Sequence, residues 1–104
     1  MTLDERQQAT NEFFEGCKNI MAQKGKDYNP DGTAFAETEA EAKEIGVTPL
    51  KVLWILMRKH LSAIIAYVQK EGLVSEPIES RLMDVANYMA LMYAWIQANK
   101  KKGP

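Results

Sequence analysis

The chain has 104 residues, of which 46% are hydrophobic and 26% charged, and its formal net charge is −1. This composition is typical of one folded soluble domain, and the balanced charge provides no global field that would attract nucleic acid. The single cysteine, Cys17, excludes an internal disulfide. Without a signal peptide or an apolar run of membrane length, we expect a cytoplasmic domain over residues 1–104 with a basic tail at 100–104 and no membrane partner.

The first predicted helix begins near Leu3. Thr2 can cap it, and Glu5 three residues later completes a capping-box pattern. The apolar stripe that follows on this helix consists of Phe13, Cys17, Ile20 and Met21. Its position on that stripe predicts that Cys17 is a buried small apolar side chain.

A loop is predicted over Lys24–Thr33, with the first helix ending near Gly25. Gly25 and the pairs Asn29-Pro30 and Asp31-Gly32 are turn formers. The loop also carries the charged and aromatic residues Lys24, Lys26, Asp27 and Tyr28. It is either a solvated turn anchored by Tyr28 or a ligand-binding loop, since loops often carry function.

Three further helices are predicted from their end signals. Thr33 should cap a helix over about Ala34–Ile45 that Gly46 ends. Thr48-Pro49 is a cap followed by proline at the first helical position, which predicts a third helix to about Glu71 and a stop at Gly72. A fourth helix is expected over Pro77–Asn99. The fold class is therefore all-α, a compact four-helix domain with a long helix 3–helix 4 hairpin and no sheet.

Apolar residues recur at helical spacing on the last two helices. The predicted core stripe of the third helix consists of Leu50, Trp54, Met57, Leu61, Ile64 and Val68. That of the fourth consists of Ile78, Leu82, Val85, Met89, Met92 and Ile96. Both helices have a wider apolar circumference than a monomer of this size needs, which predicts a homo-oligomer associating through the hairpin, unless these residues fill one core.

A second line on the fourth helix is polar in its first half and apolar in its second. Its members are Arg81, Asp84, Tyr88, Leu91 and Trp95. A charge beside a wide apolar surface must be paired or must have a function. This line therefore indicates where a site lies.

Metal chemistry is poorly supported by the residue spacing. His60 and Cys17 without further ligands do not make a zinc cage. Acidic residues three and four apart on the second helix fit Mg²⁺ ligand spacing, namely Glu37, Glu41 and Glu44. The fourth helix adds only Asp84, so we interpret these glutamates as a solvated acidic face and expect no metal and no cofactor, with Mg²⁺ needed only if the protein is an enzyme.

A nucleotide pocket is a more specific interpretation of the mixed residues. Arg81 offers a planar fork for phosphate, Asp84 and Asn87 can read the edge of a base, and Tyr28 or Tyr88 can stack on it. Further positive charge for phosphates would come from Lys24, Lys26, Lys59 and His60. The alternative is structural: an internal Arg81–Asp84 ion pair, with Tyr88 as a buried donor and His60 packed at the core edge.

Three short motifs in order resemble the phage-associated nucleotide-modification-associated domain 1 family. They are Lys24, Asp27 and Tyr28; Lys59, His60 and Leu61; and Ile78, Glu79, Asp84, Asn87 and Tyr88. The helical pattern is also similar to that of MazG-like all-α nucleotide pyrophosphohydrolases, although Arg81 stands where their last motif has glutamate. The resemblance implies a phage-encoded protein of nucleotide metabolism in the host cytoplasm.

Three functions follow from these patterns. The first is binding of a nucleotide or nucleotide-derived small molecule without turnover, for instance to sequester a nucleotide signal or to support a modification enzyme. The second is Mg²⁺-dependent hydrolysis or modification of a nucleotide. The third is inhibition of another protein through the aromatic helical surface.

Overall fold

A computed structural model describes residues 1–28, 33–70 and 77–101 of the chain. They form four helices, α1 (Leu3–Tyr28), α2 (Ala36–Ile45), α3 (Pro49–Lys70) and α4 (Ile78–Lys101). No strand occurs in these three ranges, which confirms the predicted all-α class. The predicted turn at 29–32 and the predicted helix stop at 71–72 lie outside the described residues.

Local hydrogen bonds define the helix ends where the sequence predicts them. The Glu5 amide donates to Thr2 Oγ1 at 3.1 Å and the Thr2 amide donates to Glu5 Oε1 at 3.0 Å, so the capping box is confirmed. Hydrogen bonding from the Thr2 backbone amide, and then from the Thr2 side chain, holds the pKa of the Glu5 carboxyl below its usual value. Thr48 Oγ1 accepts from the Lys51 amide at 3.1 Å and caps α3. Gly46 ends α2 in the left-handed region, with φ 86°.

Two predicted boundaries are wrong. The helix α1 does not end near Gly25 but continues to Tyr28, so Lys24, Lys26 and Asp27 lie on a helix and not in a loop. A single glycine weakens a helix by only about 1 kcal/mol, and the side-chain bond from Gln23 Nε2 to Asp27 Oδ1, 3.2 Å long, spans this turn.

The start of α2 is the second correction. This helix begins at Ala36 and not at Ala34, because Phe35 adopts a left-handed conformation with φ 66° and ψ 6°. A residue in that region cannot belong to a right-handed helix. Phe35, and not Thr33, occupies the position that precedes the helix.

The core lies where α3 and α4 pack against each other, with α1 against α4 and α2 against α3. Its buried apolar side chains are Cys17, Ala42, Val52, Leu53, Met57 and Val85. Cys17 is thus a buried small side chain, as predicted. The predicted stripe of α3 is partly wrong: Trp54 and Val68 are exposed, whereas Leu53 is the most buried large side chain. Because α4 and α2 both contact α3, its buried side lies between them and away from Trp54.

The orientation of α4 also differs from the prediction. Val85 is buried, but Leu82, Met89 and Ile96 of the predicted core stripe are exposed. The second line of α4, which is polar in its first half and apolar in its second, is partly buried along its whole length, from Arg81 through Trp95. Over the described residues, no helix combines the length and the apolar character that crossing a bilayer requires.

Gly25→Ala tests whether α1 continues through the predicted loop. A Cβ at position 25 meets no atom within 4 Å, so alanine should stabilise the fold by about 0.5–1 kcal/mol through its higher helix propensity. Gly46→Ala is the matched control: its space is also open but its φ is 86°, so alanine should destabilise by about 1–2 kcal/mol. Urea unfolding followed by circular dichroism measures both, and a destabilising Gly25→Ala would contradict the helical assignment.

Candidate functional site

A cavity of about 410 Å³ lies between the end of α1 and the helices α2, α3 and α4. This volume is within the range of small-molecule pockets. Four of the predicted site residues line it, namely Lys24, Asp84, Asn87 and Tyr88. Much of the remaining wall is apolar, with Phe35 from the segment before α2 and Leu53 from α3.

Asp84 is the charged centre of this wall. Its side chain is only 15% exposed, and Lys24 Nζ lies 3.5 Å from its Oδ1. On the other side, His60 Nδ1 lies 3.5 Å from Oδ2. A carboxylate largely removed from water needs a cation such as Lys24, because the solvation that it loses is not otherwise replaced. The Asp84 carboxylate therefore joins α1, α3 and α4.

His60 connects Arg81 to this centre. Arg81 Nη1 donates to His60 Nδ1 at 3.1 Å. Since a guanidinium has only donors, Nδ1 accepts in this bond and therefore does not also donate to the Asp84 carboxylate. The imidazole also stacks on Tyr88, with ring centroids 5.6 Å apart and an angle of 27° between the rings. His60 is thus a packed and hydrogen-bonded side chain at the edge of the core.

The cavity separates the roles of Arg81 and Asp84. Asp84 lines the cavity, whereas Arg81 and His60 lie beside it, in contact with each other. A ligand in the cavity would therefore meet the carboxylate of Asp84 directly. Arg81 holds the His60 ring that lies against that carboxylate.

Two carboxylates of the cavity were not among the predicted site residues. Glu37 and Glu41, one turn apart on α2, line the cavity opposite Asp84, and Glu41 is partly buried. Their spacing of four residues is the sequence signal that both face one side of the helix. In the described part of the chain, no three His, Cys, Asp or Glu side chains are grouped to hold a metal ion.

The other predicted site residues lie elsewhere or are not described. Lys26, Asp27 and Lys59 are exposed and do not line the cavity, and Asp27 accepts from Gln23 on the surface of α1. Tyr28 ends α1, but its side chain is outside the described part of the structure. A binding role for these four residues stays a prediction.

Cys17 lies close behind the charged centre. Its Sγ is 4.0 Å from the Met83 carbonyl oxygen, and the side chain is buried. Burial raises the pKa of the Cys17 thiol, and the negative charge of Asp84 raises this pKa further. The pKa of the Cys17 thiol therefore depends on the charge of Asp84.

No protein-family model, curated protein or solved structure matches the chain. The family resemblance carried by the three short motifs therefore stays a prediction.

His60→Phe tests the contact between His60 and Arg81. Phenylalanine keeps a ring against Tyr88 but removes the acceptor of the Arg81 bond, so the fold should lose about 1–3 kcal/mol. Replacing Arg81 with methionine in the same chain should recover part of that loss, because the half-buried donor is then gone. Lys59→Met, an exposed neighbour, should change stability by less than about 0.5 kcal/mol. Chemical unfolding of the four proteins measures this; equal effects at positions 59 and 60 would contradict the contact.

Asp84→Asn should make Cys17 more reactive. The raised pKa keeps the thiol protonated, so native alkylation by iodoacetamide at pH 8 should be slower than in the unfolded chain. Removing the Asp84 charge should lower the thiol pKa and shift the rate profile to lower pH. Glu15→Gln removes an exposed charge near Cys17 in sequence and serves as the control. An identical profile in Asp84→Asn and Glu15→Gln would show that Asp84 does not act on the thiol.

Proposed function

We propose that the protein binds a nucleotide or nucleotide-derived small molecule in the cavity between its four helices and does not turn it over. One observation carries this proposal: Lys24, Asp84, Asn87 and Tyr88, from helices far apart in sequence, line one cavity of about 410 Å³. These side chains provide a cation, a carboxylate, an amide and an aromatic ring. A base, a sugar and a phosphate need partners of these kinds.

The polar groups suit the base and the sugar. The amide of Asn87 can both donate and accept, as the edge of a base requires. Carboxylate oxygens accept from the N–H groups of a base or from sugar hydroxyls, and Asp84 and Glu41 provide them. Stacking of a base on an aromatic side chain contributes about 1–3 kcal/mol, and the cavity wall includes Tyr88 and Phe35.

The charge of the wall favours a ligand with few phosphates. Lys24 is the basic residue of the cavity lining, and its side chain is 56% exposed, which leaves it accessible to an anionic group. Three carboxylates, Glu37, Glu41 and Asp84, line the same cavity. Because like charges repel more strongly where water is scarce, a nucleoside or a monophosphate should bind better than a triphosphate.

Binding without turnover is supported by the environment of Asp84. Its two oxygens face Lys24 and His60, so the carboxylate acts as the partner of internal groups. Mg²⁺-dependent hydrolysis is the second candidate, since Glu37, Glu41 and Asp84 line one cavity and Mg²⁺ prefers oxygen ligands. These carboxylates are not grouped to hold the ion by themselves, so phosphate oxygens of the ligand would have to complete its coordination.

Thermal melting with nucleosides, monophosphates and triphosphates, each with and without Mg²⁺, tests both candidates. A ligand that binds the native state raises the melting temperature by mass action. Nucleosides or monophosphates should give the largest shifts, without loss of the compound. Phosphate release that depends on Mg²⁺ would favour the second candidate, and no shift with any compound would contradict both.

Variants should then place the ligand in the cavity. With the compound that shifts melting most, Asp84→Asn should weaken binding roughly tenfold or more, as expected for the loss of a charged hydrogen bond. Lys24→Met should weaken the binding of monophosphates more than that of nucleosides. Lys18 is an exposed lysine earlier on α1, and Lys18→Met should change neither affinity. Titration calorimetry measures these affinities; unchanged binding in both Asp84→Asn and Lys24→Met would exclude the cavity as the site.

A further inference from the structure

The helix α4 has an apolar stripe that faces solvent. It consists of Leu82, Met89, Tyr93 and Ile96, which follow one another at intervals of seven, four and three residues. All four side chains are exposed, Met89 to 55% and Tyr93 to 67%. This spacing places them on one side of the helix, nearly half a turn from the residues that line the cavity.

The helix α3 has a second stripe with the same spacing. Trp54, Leu61, Ile65 and Val68 also follow at intervals of seven, four and three residues. Leu61 is partly buried, while Trp54, Ile65 and Val68 are exposed, Val68 to 71%. This stripe lies about a third of a turn from the buried side of its helix.

Both stripes lie on the same face of the hairpin. The two helices are consecutive, pack closely and contact each other through His60 and Arg81, so they run antiparallel. In an antiparallel pair, rotations in the same sense along the sequence move both stripes to the same side. The cavity, with the α1 and α2 residues that line it, lies on the other side. We call the face with the two stripes the open face.

We propose that the open face binds the open face of a second copy of this chain, so that the two α3–α4 hairpins form a four-helix interface in a symmetric dimer. Stripes with a seven-residue repeat pack as knobs into holes between helices that cross at about 20°. Because the two stripes of one hairpin have the same spacing, a two-fold rotation can place α3 of one copy against α4 of the other in matching register.

The area of the open face suits this partner. Seven apolar side chains, 39% to 71% exposed, present at most on the order of 700 Å² if each is given the roughly 150–250 Å² of a full aromatic side chain. A standard interface buries about 800 Å² on each partner, and the largest apolar patch of a typical monomer is about 300–600 Å². The open face is thus large for a monomer and of the size that a stable dimer needs.

Sedimentation equilibrium of the full chain at tens of micromolar tests the proposal. We expect the mass of a dimer, and a melting temperature that rises with protein concentration. Met89→Glu combined with Tyr93→Glu should give a monomer with an unchanged helical spectrum, because both side chains are already more than half exposed. Phe14→Glu combined with Ile45→Glu changes two equally exposed apolar residues on α1 and α2, outside the open face, and should remain a dimer.

A wild-type monomer under these conditions would overturn the proposal. The open face would then be the binding surface for a different protein. A dimer that survives Met89→Glu with Tyr93→Glu would also overturn it, because the interface would lie elsewhere. If the double variant loses helix, the milder Tyr93→Ser alone decides. Its dimer dissociation constant should be at least tenfold higher than that of the wild type. The cavity lies on the other side of the hairpin, so ligand binding and dimer formation can fail independently.

Discussion

The arrangement of the helices depends on one largely buried carboxylate. Asp84 keeps 15% of its side chain exposed, and an ionised group in that position costs several kcal/mol unless cations and hydrogen bonds replace the lost water. Lys24 of α1 supplies the cation at Oδ1, and the His60 ring of α3 lies 3.5 Å from Oδ2, so side chains of three helices meet at one charge. Gly16 lies where α1 approaches α4: a Cβ there would lie 2.8 Å from Met83 Cε, so the end of that flexible side chain would have to move.

The parts of the fold that rest on neighbouring residues could be predicted from the sequence. The caps at Thr2 and Thr48 and the stop at Gly46 are local interactions, and the structure contains all three. The orientation of α4 could not be predicted in the same way. Apolar periodicity places Met89 inside, but the period of a pattern does not show that a distant lysine will satisfy Asp84. Once Lys24 pairs with Asp84, the side of α4 that carries the line from Arg81 through Trp95 can face inward.

The candidate site was predictable to the extent that it lies on α4 and at the end of α1. Asp84 and Tyr88 are one turn apart on one helix, so their proximity follows from spacing alone. The position of the acidic residues of α2 in the cavity wall could not be predicted from spacing alone. Whether Glu41 faces solvent or the cavity depends on how α2 is set against α3, and that depends on the left-handed conformation of Phe35. An aromatic residue gives no local signal for such a conformation, because it is disfavoured there.

Phe35 also limits which substitutions this wall of the cavity can accept over evolution. Its left-handed backbone is about 1–2 kcal/mol less favourable than an ordinary one, and glycine would remove that strain. Its ring, however, packs edge-on against Trp95, with centroids 5.4 Å apart, and it closes one wall of the cavity. Glycine would lose this contact, and another side chain without the ring would keep the strain and lose the contact as well. Backbone and side-chain preferences therefore oppose each other at this residue, and few substitutions of this phenylalanine should be tolerated.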